Sequence, residues 1–163
     1  MIHGAIWHTD DSRPLPEIQE VFEAINNIQL NYNWLITECV HGIVDVPEIN
    51  SILSREDYCW LTGKELTRHI AGAPRSYVPA GMFTGFPEEI SLEEVLQYPL
   101  PTWESPYFWQ NPLTLQHPLA QVEIVPWDGM YVLILSRDEK IVRDFRRHFP
   151  ADATQDLEEY NRQ

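Results

Sequence analysis

Between Ser76 and Ser136 the chain has neither lysine nor arginine. Glu88, Glu89, Glu93, Glu94, Glu104, Glu123 and Asp128 all fall in that stretch, seven carboxylates with no cation beside them in sequence. They make up half of the formal charge of −14 carried by 163 residues. Phosphate backbones and anionic lipid surfaces are bound by clusters of Lys and Arg, so this balance argues against nucleic acid and membrane partners. The one basic cluster is Arg143, Arg146 and Arg147, at the end of a predicted helix where cations complement the helix dipole.

Other absences narrow the chemistry. Two cysteines, Cys39 and Cys59, are too few for a disulfide framework. Both read as small buried hydrophobes, because neither has the electropositive neighbours that make a thiolate. There is no His-x-x-x-His pair and no Cys-x-x-Cys, so no metal is expected. His3, His8, Asp10 and Asp11 are close in sequence, but a regular strand sends residues five apart to opposite faces. There is no Gly-x-Ser-x-Gly elbow, and Thr62-Gly63-Lys64 lacks the glycines of a phosphate loop. No cofactor is expected. No apolar run approaches the ~18 residues of a membrane span. The first residues lack the basic flank and apolar core of a signal peptide, which leads us to expect a cytoplasmic protein.

What is present suits one α+β domain over residues 1–163. Alternating or apolar runs predict strands near 2–7, 31–40, 78–84, 120–126 and 130–136, with a brief one at Tyr58–Leu61. Helical spacing predicts helices near 16–28, 63–70, 91–98 and 137–149, and a short one after Asp45. Thr62–Glu65, Ser91–Glu94 and Ser136–Glu139 each have capping-box spacing. Asp128-Gly129 marks a hairpin, and Tyr131–Leu135 reads as a central strand. Pro79, Gly81 and Gly85 place the 78–84 strand at an edge or around a bulge. The expected architecture is an antiparallel or mixed sheet with helices packed on one face. Parallel pairing of the early segments remains open. An acidic C-terminal tail, 151–163, either packs through Leu157 and Tyr160 or frays.

The segment from Tyr98 to Pro118 has no period, five prolines and the aromatics Trp103, Tyr107, Phe108 and Trp109. Long irregular segments are often functional. Trp and Tyr anchor interfaces, and prolines pre-order a loop. One reading turns Trp103, Tyr107 and Trp109 outward, beside Glu93, Glu94 and Glu104, as a surface for a basic protein. The other folds the aromatics inward as a cap on the sheet. Chemistry has a weaker claim: Glu88 or Glu104 beside the tryptophans would suit a hydrolase or carbohydrate-processing enzyme. A closed apolar pocket would suit a small-ligand sensor.

Phe83-Thr84-Gly85-Phe86-Pro87, Glu123-Ile124-Val125-Pro126-Trp127-Asp128 and the ending His148-Phe149-Pro150 with Asp156-Leu157-Glu158-Glu159-Tyr160 resemble a family of small uncharacterised bacterial cytosolic proteins. These motifs are structural in type and carry no catalytic residues to transfer. In overall profile the chain is also similar to bacterial immunity proteins, which are small, acidic and without a catalytic constellation. That likeness implies a non-enzymatic inhibitor of a basic bacterial toxin, with Glu93, Glu94, Trp103, Glu104, Tyr107 and Trp109 as the candidate contacts.

Overall fold

The computed structural model describes residues 1–163. Strand β1 (His3–His8) leads to helix α1 (Ile18–Ala24), β2 (Tyr32–Val40), α2 (Pro47–Leu53), β3 (Cys59–Thr62) and α3 (Gly63–Ala71). Then come β4 (Ala80–Pro87), α4 (Leu92–Val95), β5 (Val122–Trp127), β6 (Tyr131–Ser136), α5 (Glu139–His148), β7 (Thr154–Asp156) and α6 (Leu157–Asn161). The strands form one sheet in the order β3-β2-β4-β5-β6-β1-β7. Every pairing is antiparallel, so no early segment pairs in parallel.

Alternation along the strands divides the sheet into two packed faces. Trp7, Trp34, Ile36, Phe83, Val122, Ile124 and Ile134 point to one side, where α1, α2, α3 and α5 cover them with Phe22, Ile49, Leu66 and Phe145. This is the main core. Ile6, Leu35, Met82, Phe86, Val125, Leu133 and Leu135 point to the other side. No long helix lies there. The cover is the 98–118 segment together with the two short helices α4 and α6.

Local chemistry explains most boundaries. Thr62 and Ser91 close reciprocal capping boxes with Glu65 and Glu94. The third box does not form: Asp138 caps α5 instead, accepting from the Lys140 N–H, while the Ser136 hydroxyl accepts from the Asp138 N–H. The first helix ends at Ala24, short of the expected 28, because Asn26 and Asn27 take left-handed φ of 56° and 57°, a conformation that Asn tolerates well. Asp128 and Gly129, both with positive φ, make the two-residue turn between β5 and β6.

Strand β4 is not at an edge. It lies between β2 and β5. Gly85 fits there because a Cβ would come within 3.0 Å of the Trp34 ring and closer to Val122. The bulge is on the neighbouring strand. Ile36 pairs with Phe83 and Glu38 with Met82, leaving Thr37 as the extra residue. A bulge of this kind brings two successive side chains to one face, here Thr37 and Glu38, toward the irregular cover. The 151–163 tail does not fray: β7 pairs with β1, and Leu157 is buried.

Candidate functional site

The irregular segment is held at several points. The Thr37 hydroxyl donates to the Pro101 carbonyl at 2.7 Å. Glu38 accepts from the Thr102 hydroxyl at 3.1 Å and the Trp103 N–H at 3.3 Å. Gln116 bonds Thr102 in both directions, to its N–H and to its carbonyl. From α6, Asn161 donates to the Phe108 carbonyl at 3.0 Å, and Asn111 donates back to the Glu158 carbonyl at 2.9 Å. His117 closes the far end. Its Nε2 lies 2.9 Å from the Val95 carbonyl, and its Nδ1 accepts from the Leu119 N–H at 3.1 Å. That pairing makes Nε2 the protonated nitrogen. Burial holds the His117 pKa below its usual value.

Neither expectation for the aromatics holds for all of them. Phe108 turns fully inward. Tyr107 turns outward and is 55% exposed. Trp103 and Trp109 are half-buried and share a cluster with Trp127. The Trp103 and Trp127 rings are 5.9 Å apart at 73°, and Trp109 and Trp127 are 5.2 Å apart at 83°. Tyr131 and Tyr160 also pack against Trp109, at 6.0 and 6.1 Å. Edge-to-face packing of this kind is the favoured arrangement for aromatic pairs.

The three tryptophans open onto a groove of about 520 Å³. Glu104, Ser105, Pro106 and Asp128 complete its lining. The fold thus brings together Trp103, Glu104 and Trp109 of the expected contacts. It leaves out Glu93, Glu94 and Tyr107. Glu94 is committed to the capping box of α4, and Val95 of that helix packs over Leu35 and Phe86. Trp127 and Asp128 are the groove residues that sequence reasoning missed. Asp128 counts among the acids of the cation-free stretch, and the Asp-Gly turn shows that a hairpin tip exists but not what lies beside it.

The acidic surface also differs by one member. Glu88, Glu89, Glu93, Glu94, Glu104 and Asp128 are exposed, whereas Glu123 is completely buried. It points from β5 toward the irregular cover. Its Oε1 accepts from the Gln116 N–H at 2.6 Å, while Oε2 has no protein partner. Thr84 stands opposite it in the ladder, its hydroxyl also unpartnered. Burial pushes the Glu123 carboxyl up to about 8, a rise that the Gln116 N–H only partly offsets.

Other candidate chemistry is not assembled. Cys39 and His41 border one open cleft with Asn50, but burial pushes the Cys39 thiol up, opposite to the activation of a nucleophile. The Cys59 thiol is pushed up to about 11, also by burial. No group of three or more His, Cys, Asp or Glu lies close enough to hold a metal ion. Arg143, Arg146 and Arg147 border a separate cleft of about 380 Å³ with His3, Glu139 and Asp156. No helix is long and apolar enough to cross a membrane. Comparison with protein-family models, with curated proteins and with solved structures returned no match.

Proposed function

We propose that this protein is a non-enzymatic binding module whose acidic, tryptophan-walled groove docks a basic protein partner. The observation that carries the reading is the union of three half-exposed tryptophans with Glu104 and Asp128 in one groove, inside a stretch without Lys or Arg. Aromatic anchors supply contact area for few rotors, and the carboxylates supply charge complementarity. The segment is held by Thr37, Glu38, Gln116 and Asn161, so little ordering remains to be done on binding. In its concrete form the protein is an immunity-type inhibitor. It covers a basic toxin, with Trp103, Glu104 and Trp109 at the centre of the contact and Tyr107, Glu93 and Glu94 toward its periphery.

A hydrolytic reading keeps Glu104 but loses Glu88, which lies in the turn after β4 and outside the groove lining. Binding also fits the open form of the groove better than a small-ligand sensor does, since a sensor needs an enclosed apolar pocket.

The test is capture from the native host by tagged protein, comparing wild type with Trp103→Ala/Trp109→Ala. A single stoichiometric basic protein held by the wild type and released by the double variant supports the reading. Equal capture by both proteins removes the groove from the interface.

A further inference from the structure

We propose that the groove is a receptor for one arginine side chain of its partner. This rests on the binding reading above and names the chemistry that fills the site. Trp103 and Trp109 each pack edge-to-face with Trp127, at 73° and 83°, and all three rings border the groove. Tryptophan faces attract cations more strongly than other aromatic faces do. Glu104 and Asp128 border the same space. Neither has an ion-pair partner in the protein. Two free carboxylates beside three tryptophans describe a cation site, and the remaining question is which cation.

The carboxylates decide it. A quaternary ammonium has no N–H to donate, so the two exposed acids would offer it charge attraction but no hydrogen bond. A lysine ammonium donates but is a compact, strongly hydrated charge that stacks poorly. A guanidinium is flat, weakly hydrated and carries five donors in a fork that matches a carboxylate. It stacks on the ring walls and forks onto the acid rim better than an ammonium does. At about 520 Å³ the groove also has room for the backbone on either side of the inserted side chain.

The site is built before the ligand arrives. Trp127 ends strand β5, and Asp128 is fixed in the left-handed turn position with φ of 51°. The Trp103 N–H is tied to Glu38, and Trp109 ends a 3-10 turn, Pro106–Trp109, whose first free N–H group is capped by Ser105.

The experiment is a titration of the whole protein at constant ionic strength. The probes are a blocked Gly-Arg-Gly peptide, its citrulline counterpart and tetramethylammonium chloride. The readout is the indole N–H signals of the six tryptophans in a two-dimensional NMR spectrum. Citrulline keeps the shape of arginine and removes the charge. The arginine peptide should shift the Trp103, Trp109 and Trp127 signals saturably. Citrulline should bind at least about tenfold more weakly, the usual scale of one charge-assisted contact. Glu104→Gln/Asp128→Asn, which keeps the walls and the turn, should weaken the arginine peptide by about tenfold and leave citrulline unchanged.

Equal binding of arginine and citrulline, tighter binding of tetramethylammonium, or no movement of these three signals would overturn the proposal. The two readings fail separately. An arginine site without any protein partner refutes the docking reading alone. A partner that depends on the tryptophans, with arginine and citrulline peptides equivalent, refutes the arginine site alone.

Discussion

Replacing Glu123 with Gln should make the protein more resistant to unfolding, by an amount that grows with pH. The buried carboxyl has its pKa raised from 4.5 to about 8. Between those values the folded protein holds a proton that the unfolded chain has released. Stability must therefore fall as pH rises through this window, being fully present below 4.5. Each pKa unit corresponds to about 1.36 kcal/mol. The penalty in the wild type is then about 1 kcal/mol at pH 5 and about 3 kcal/mol at pH 7, levelling near 5 kcal/mol above pH 8. Glutamine is neutral throughout. Its carbonyl oxygen can keep the bond from the Gln116 N–H. Any fixed packing difference shifts the variant by a constant, so the slope of the difference is the quantity to read. Urea unfolding followed by tryptophan fluorescence at pH 5, 6, 7 and 8 measures it. A difference that does not change with pH would refute the reasoning, because it would mean that Glu123 ionises as it does in water.

Four further outcomes are expected. Glu38→Ala leaves the Trp103 N–H and the Thr102 hydroxyl without their acceptor, and should lower stability by about 1–3 kcal/mol in the same assay. His117→Ala leaves the Leu119 N–H without its acceptor and the Val95 carbonyl with the Tyr98 N–H alone, and should lower it by about 1–3 kcal/mol. Because burial depresses the His117 pKa, the wild type should also lose stability as pH falls below the ordinary histidine range, and His117→Gln should lose less over the same interval. Trp109→Ala should weaken partner binding by about 2 kcal/mol or more in calorimetry, whereas Glu93→Gln, outside the groove, should change it by less than about 0.5 kcal/mol.

The elements whose cause is local were legible in the sequence. Thr62–Glu65 and Ser91–Glu94 announce their helices because a capping box satisfies its own backbone groups. Asp128-Gly129 announces its hairpin because both residues accept positive φ. What depends on distant neighbours was not. Pro79, Gly81 and Gly85 suggested an edge or a bulge; the strand is central, with Gly85 leaving room for Trp34, and the bulge lies on its neighbour β2. Glu123 counted toward the acidic surface because Glu is seldom buried, and only the 98–118 cover turns it into an interior acid. The 151–163 tail packs because Leu157 finds Ile6 and Leu113 beneath the same cover. The groove was half visible: Trp103, Glu104 and Trp109 share one segment, while Trp127 and Asp128 join them only through the tertiary fold.

The most direct test of the central claim is capture from the native host at low and then high salt, run in parallel with wild type and with Glu104→Gln/Asp128→Asn. The account predicts one stoichiometric basic protein on the wild type, weakened by salt and by the variant, since both act on the same charges. A partner bound equally by both proteins at all salt concentrations, or no protein partner in a host that makes one, would contradict it.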